Sequence, residues 1–277
     1  MPLRTWEDGA ETMTGSEQDD GDNEAFWRDF LTRGDPRELR KRRIFKRIPT
    51  SPRCRLCAAP FAGPGATLMR AFGRRQATQN PTVCATCFAF VSAQHGGAEI
   101  EITMLFADIR GSTTLAEGMS GGEFRRLLDR FYAVATEVVF DNDGTVDKFV
   151  GDELVAFFVP LLSGHQHAKQ GVSAARDLLR ATGHADPGGP WVPVGAGVHT
   201  ATTWFGAVGQ PPHAELTAVG DPVNTTARLA SVAAAGEILV TTPAAMAAGL
   251  DETLPRRRLE LKGKHDLTEV VSLRVDP

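Results

Sequence analysis

No stretch of the 277 residues is apolar for anything near the length that crosses a bilayer. The first residues, Met1-Pro2-Leu3-Arg4-Thr5-Trp6-Glu7-Asp8, lack the apolar core of a secretory signal, so the expected location is the cytoplasm. An excess of positive charge is also missing. The net charge is -4, which disfavours a nucleic-acid binder held by bulk charge. Cysteine is confined to four positions. What remains, 42% hydrophobic and 23% charged residues, is the composition of an ordinary soluble globular chain with room for one good core and a small appended module.

Residues 1–24 are acidic and polar, with Glu7, Asp8, Glu11, Glu17, Asp19, Asp20, Asp22 and Glu24, and read as a disordered tail. Phe26, Trp27, Phe30 and Leu31 then recur at helical spacing. Asp35-Pro36 opens a second helix carrying Arg37, Arg40, Lys41, Arg42, Arg43, Lys46 and Arg47. A basic run of this kind is most often a solvated helix face. An anionic membrane surface, a nucleic acid or the chain's own acidic tail are its other conceivable partners, and none of them is favoured.

The cysteines form two Cys-x-x-Cys knuckles, Cys54/Cys57 and Cys84/Cys87, with turn signals at Gly63-Pro64-Gly65 and Asn80-Pro81 between them. Four thiolates so spaced in a reducing compartment point to a tetrahedral structural zinc site, in a zinc-ribbon-like module spanning 25–98. An iron-sulfur cluster and a redox dithiol pair are the competing readings. A module this small would draw much of its folding energy from the metal.

From Gly96-Gly97 the composition shifts, and strands and helices alternate with both hairpins and crossovers, which is an α+β pattern. Ile102–Ala107 is an apolar strand ending on Asp108. The hairpin Val146–Val159 pivots on Gly151-Asp152. If the hairpin pairs antiparallel beside the first strand, the two acids converge. Adjacent carboxylates repel, and a divalent cation with hard oxygen ligands removes the penalty. Each acid alone also fits an ordinary task, a helix cap or a turn. Helices are expected at 112–117, 123–140 and 168–182, and another opens at Asp221-Pro222. Val192–His199 and Phe205–Gly209 read as hairpin partners, and further strands fall near 215–219, 237–240, 257–262 and 269–274.

Four segments occur in order: Phe106-Ala107-Asp108-Ile109-Arg110-Gly111-Ser112-Thr113, Asp147-Lys148-Phe149-Val150-Gly151-Asp152, Val219-Gly220-Asp221-Pro222-Val223-Asn224-Thr225-Thr226-Ala227-Arg228-Leu229, and Leu261-Lys262-Gly263-Lys264. Together they resemble the class III nucleotidyl cyclases, the adenylate and guanylate cyclase catalytic domain, over residues 99–277. The resemblance implies a ferredoxin-like nucleotidyl cyclase core with extra C-terminal strands. It also implies conversion of ATP to 3′,5′-cyclic AMP and pyrophosphate with two Mg²⁺ or Mn²⁺ ions, held by Asp108, Asp152 and the Ile109 carbonyl. By the same resemblance Asn224 orients the ribose and Arg228 meets charge growing on the α-phosphate. Lys148 and Thr217 supply the donor and the acceptor that suit adenine rather than guanine. Lys262 reaches the triphosphate, with Lys264 a less favoured substitute.

Gly195 stands where many relatives carry a phosphate-contacting Arg, which puts triphosphate affinity in question. Members of the family share their sites between two subunits, so a homodimer with two composite sites is expected. His199 reads as a packed strand residue, and His165 and His167 as surface residues. The alternatives are a weak or inactive relative acting as a nucleotide-binding regulatory module, a diguanylate cyclase, whose Gly-Gly-Asp/Glu-Glu-Phe hairpin motif is poorly matched by Val150-Gly151-Asp152-Glu153-Leu154 here, and a zinc-knuckle nucleic-acid module, for which the basic run lacks stacking aromatics.

Overall fold

A computed structural model describes residues 17–276 except 49, 51, 210–213 and 265. The chain divides into two compact units, residues 1–100 with 204–218, and residues 101–203 with 219–277. The division does not follow chain order, since residues 204–218 belong to the first unit.

In the first unit, α1 spans Glu17–Arg33, so a helix already runs through the last third of the stretch read as a tail; residues 1–16 lie outside the described residues. Trp27 and Phe30 of α1 pack on Phe90 with ring centroids 6.0 and 5.0 Å away. The second helix, α2 (Pro36–Lys46), starts as its sequence dictates: the Asp35 carboxylate accepts from the Arg37 N–H and Pro36 occupies the first turn. Gly63-Pro64-Gly65, expected to be a turn, instead opens α3 (Gly63–Ala71), where Pro again suits the first turn. The fourth helix, α4 (Ala85–Ala93), begins on the second knuckle, with Cys84 as its N-cap.

The sheet, most of which belongs to the second unit, has the order β2-β3-β1-β4-β6-β8-β7. Its strands are β1 (Gly96–Ile109), β2 (Thr145–Val150), β3 (Glu153–Phe158), β4 (Val194–Val208), β6 (Ile238–Thr241), β7 (Arg256–Leu259) and β8 (Thr268–Leu273). β5 (Glu215–Val219) pairs with β4. Helices α5 (Ser112–Glu117) and α6 (Gly121–Asp141) separate β1 from β2, and α7 (Pro160–Ser163) and α8 (His167–Ala181) separate β3 from β4. The order β4-β1-β3-β2 is that of a ferredoxin-like β-α-β-β-α-β core. After it come α9 (Asp221–Val232), β6 beside β4 in parallel, α10 (Thr242–Ala247), and the antiparallel pair β7 and β8.

The apolar faces the sequence displays do form the core. Phe131, Ala135 and Val139 of α6, Val172, Leu178 and Leu179 of α8, and the strand residues Leu105, Leu154, Ala156, Val194, Ala196 and Val198 meet in one buried cluster. A capping box between Ser120 and Glu123 starts α6. Two expectations fail here. β4 is a single strand of 15 residues, not a hairpin, because Thr200 and Thr203 are buried strand residues rather than turn formers. His167 is buried and not on the surface: its Nδ1 lies 2.9 Å from Thr103 Oγ1, which in turn is 2.7 Å from Thr200 Oγ1. No helix among the described residues is long and apolar enough to cross a membrane.

Candidate active site

The acids meet because of register. Asp108, at the end of β1, stands opposite Glu153, the first residue of β3, so Asp152 in the preceding turn comes level with it. Val150 pairs with Glu153, leaving a two-residue turn in which Gly151 takes φ +63°, a conformation strained for any residue with a side chain. The turn is held from α6: the Tyr132 hydroxyl donates to the Gly151 carbonyl, and its ring stacks on Phe149 at a centroid distance of 4.0 Å.

The result is three carboxylates and one guanidinium at the edge of the core. Burial pushes the Asp108 carboxyl up to about 7, and the Asp152 carboxyl at hydrogen-bond range adds to the push while Arg110 opposes it. Glu153 is raised as well, by burial and then by Asp152. The Arg110 guanidinium is ion-paired with Asp108 and also donates to the Ser231 carbonyl at 2.7 Å, tying the acid to the last turn of α9. Two carboxylates brought this close suit a divalent cation, which would relieve their repulsion. Ile109 buries its side chain in the core, so only its main chain is left for any ligand role.

A second group of polar side chains gathers on α9 and the turn at 261–264. Pro222 and Asp221 open α9, and Asn224 and Arg228, four residues apart, share a face of it. The turn packs against this face, since a Cβ on Gly263 would lie 3.3 Å from Arg228 Nη2. Lys264 pairs with Asp221, whereas Lys262 is exposed on the turn. His199 of β4 faces the same region: its Nδ1 is 2.9 Å from Thr241 Oγ1, and burial, with Lys264 nearby, pushes it down to about 4. Lys148 is exposed on β2, with its ammonium 3.4 Å from Asp147. Thr217 lies on β5, in the other compact unit.

Gly195 proves to be a packing residue. A Cβ there would sit 2.7 Å from the Ala233 carbonyl oxygen, and one at Gly197 would sit 2.6 Å from Leu229 Cβ. The glycines let α9 lie directly on β4. An Arg at 195 would have no room, so its absence follows from this packing and leaves the phosphate question to other residues.

Sequence reasoning missed Arg110, Tyr132, Glu153 and the Asp221–Lys264 pair. Arg110 and Glu153 adjoin the motif acids and carried a visible signal; Tyr132 sits on a helix face read only for its apolar residues.

In the first unit the four cysteines do converge. All are buried and unpaired by disulfides, and their Sγ atoms lie within 4.8 Å of one another.

The fold and the acid-lined strand end define a nucleotidyl cyclase catalytic domain. The family model for the adenylate and guanylate cyclase catalytic domain matches residues 97–272, more than half of the chain, and the chain belongs to that family. It is 34% identical over 134 residues to adenylate cyclase 1 of Rhizobium meliloti (strain 1021), covering 47% of this chain and 20% of that one. It is 31% identical over 157 residues to the adenylate cyclase of Anabaena cylindrica, covering 51% and 31%. The chain thus spans a third or less of the length of these curated relatives. Among solved structures it resembles the guanylyl cyclase Cya2 (TM-score 0.59, 26% identity, 64% of this chain and 93% of that one). The adenylyl cyclase CyaB from P. aeruginosa is similar too (TM-score 0.55, 26% identity, 64% and 94%). One reads guanine and the other adenine in name, at equal identity, so likeness alone does not choose the base.

Proposed function

We propose that the chain is an adenylate cyclase, converting ATP to 3′,5′-cyclic AMP and pyrophosphate in cyclic-nucleotide signalling. The observation that carries this reading is the meeting of the Asp108 and Asp152 carboxyl groups at one end of the sheet, with Asp108 raised to about 7. Asp108, Asp152 and the main chain of Ile109 would hold two Mg²⁺ or Mn²⁺ ions. When bound, such ions supply a more acidic ribose 3′-hydroxyl and neutralise charge on the phosphates. Glu153 and Arg110 set the field around the acids, and Tyr132 fixes the turn that carries Asp152.

Asn224 orients the ribose, and Arg228, a planar fork, meets the negative charge that grows at the α-phosphate. Lys262 reaches the triphosphate, while Lys264 is committed to Asp221. A lysine donor at 148 and a threonine oxygen at 217 match the acceptor and the amine that adenine presents. The acids and the Asn224/Arg228 pair stand on separate elements, which suits a homodimer whose sites each draw one set from either subunit. The four cysteines are read as a structural zinc site.

The test is to incubate the purified chain with ATP or GTP plus Mg²⁺ or Mn²⁺ and identify the product by mass. Cyclic AMP is expected, in preference to cyclic GMP. Linear products only, or none, would favour a nucleotide-binding regulatory role.

A further inference from the structure

The basic run on α2 is only partly a solvated face. Arg42 is 4% exposed and its guanidinium donates to the carbonyls of Leu56 and Arg55, inside the first knuckle. Glu38, one turn earlier, is 6% exposed and bonds Arg74 Nη2 at 3.0 Å. Arg74 itself is 5% exposed, although it follows α3 on an otherwise exposed stretch. Its Nη1 is buried with no hydrogen-bond partner among the described residues, the Cys57 side chain is close enough to act on its charge, and its guanidinium carbon stands 5.8 Å from the centre of the Phe45 ring. A buried guanidinium with an unsatisfied nitrogen beside a thiol is costly unless that sulfur carries negative charge.

The sulfurs supply that charge if they hold a single metal ion. Zinc–sulfur bonds of about 2.3 Å set tetrahedral sulfurs about 3.8 Å apart, and Cys57 Sγ and Cys84 Sγ are 3.7 Å apart. All four lie within 4.8 Å of one another, which fits one ion better than a cluster that spreads its thiolates over several irons. The Cys84 and Cys87 N–H groups donate to Cys54 Sγ and Cys84 Sγ at 3.2 and 3.5 Å, as suits sulfurs that are ligands rather than donors. One Zn²⁺ with four thiolates retains a charge of about -2 inside a dry core.

We propose that Arg74 is the counter-charge of a mononuclear zinc centre, and that the Arg74–Glu38 and Arg42–Leu56 links make helix α2 dependent on the metal. The inference rests on the zinc reading, and its test separates the two. Elemental analysis of the full chain examines the zinc: about one Zn per chain is expected, and iron with its coloured absorption, or a folded chain with no metal, would overturn that reading. The Arg74 assignment is examined by zinc transfer to a chromophoric chelator. Arg74→Gln should lose zinc about 10–100-fold more readily than the parent, whereas Glu38→Gln, which breaks the same ion pair but keeps the charge beside sulfur, should stay within about threefold. Equal loosening by both would mean that Arg74 acts only through the fold, and parent-like retention in Arg74→Gln would remove it from the centre. If Arg74→Gln does not accumulate, Arg74→Lys and Arg74→Met are compared: zinc held by the lysine variant but lost by the methionine variant supports the assignment, and equal retention by both overturns it. Amide exchange over residues 36–46 should quicken on chelation; unchanged protection would refute the dependence of α2.

Discussion

Single side chains in this protein act through what surrounds them. Tyr132 makes no contact with a phosphate in the proposed reaction, yet its hydroxyl holds the carbonyl of the residue before Asp152. Tyr132→Phe is expected to cost about 10–100-fold in metal affinity or activity, as outer partners of metal ligands do, with little change in melting temperature; paired kinetics and calorimetry check it. His199 makes the converse case. Its folded value of about 4 lies below the ordinary 6.5, so the stability it contributes is present above pH 6.5 and is lost as pH falls through 4. The groups facing it are Thr241, Lys264 and Asp221. Replacing it by Gln should flatten the acid side of the melting-temperature profile between those limits, by at most about 3 kcal/mol. An unchanged slope would show that His199 is not held neutral.

At the scale of elements, α9 and the turn behind it divide labour between packing and chemistry. Gly195 and Gly197 give the helix its seat on β4. Gly195→Ala should lower stability by about 1–3 kcal/mol through overpacking, read from the denaturant midpoint, and no longer side chain there should restore phosphate binding. On the turn, Lys262→Ala should raise KM for ATP about tenfold with little change in kcat, as expected for a group that binds ground and transition states alike. Lys264→Ala should act differently, through the release of Asp221 at the start of α9. Equal KM effects from the two would reassign the triphosphate contact.

For the whole molecule, the proposed homodimer, in which each site takes its acids from one subunit and Asn224 and Arg228 from the other, has a quantitative consequence. Asp108→Ala and Asn224→Ala chains, each nearly inactive, should recover about a quarter of parental activity when mixed in equal amounts, since about half of the randomly formed dimers carry one intact site of two. No recovery while subunits demonstrably exchange would place both sets within one subunit.

What the sequence determined by itself was local or carried by pattern. The apolar strand ending at Asp108, the hairpin turning on Gly151, the helix opened by Pro222 and the pairing of two cysteine knuckles were all legible, because each depends on neighbours within a few residues. Tertiary structure alone decided the rest. Thr200 and Thr203 looked like a turn until burial made them strand. Gly195 looked like a lost arginine until the backbone of Ala233 filled its space. Arg42 looked like surface charge until it was found folded against the knuckle. In each case the residue's own chemistry allowed two environments, and the partner that chose between them came from a distant part of the chain.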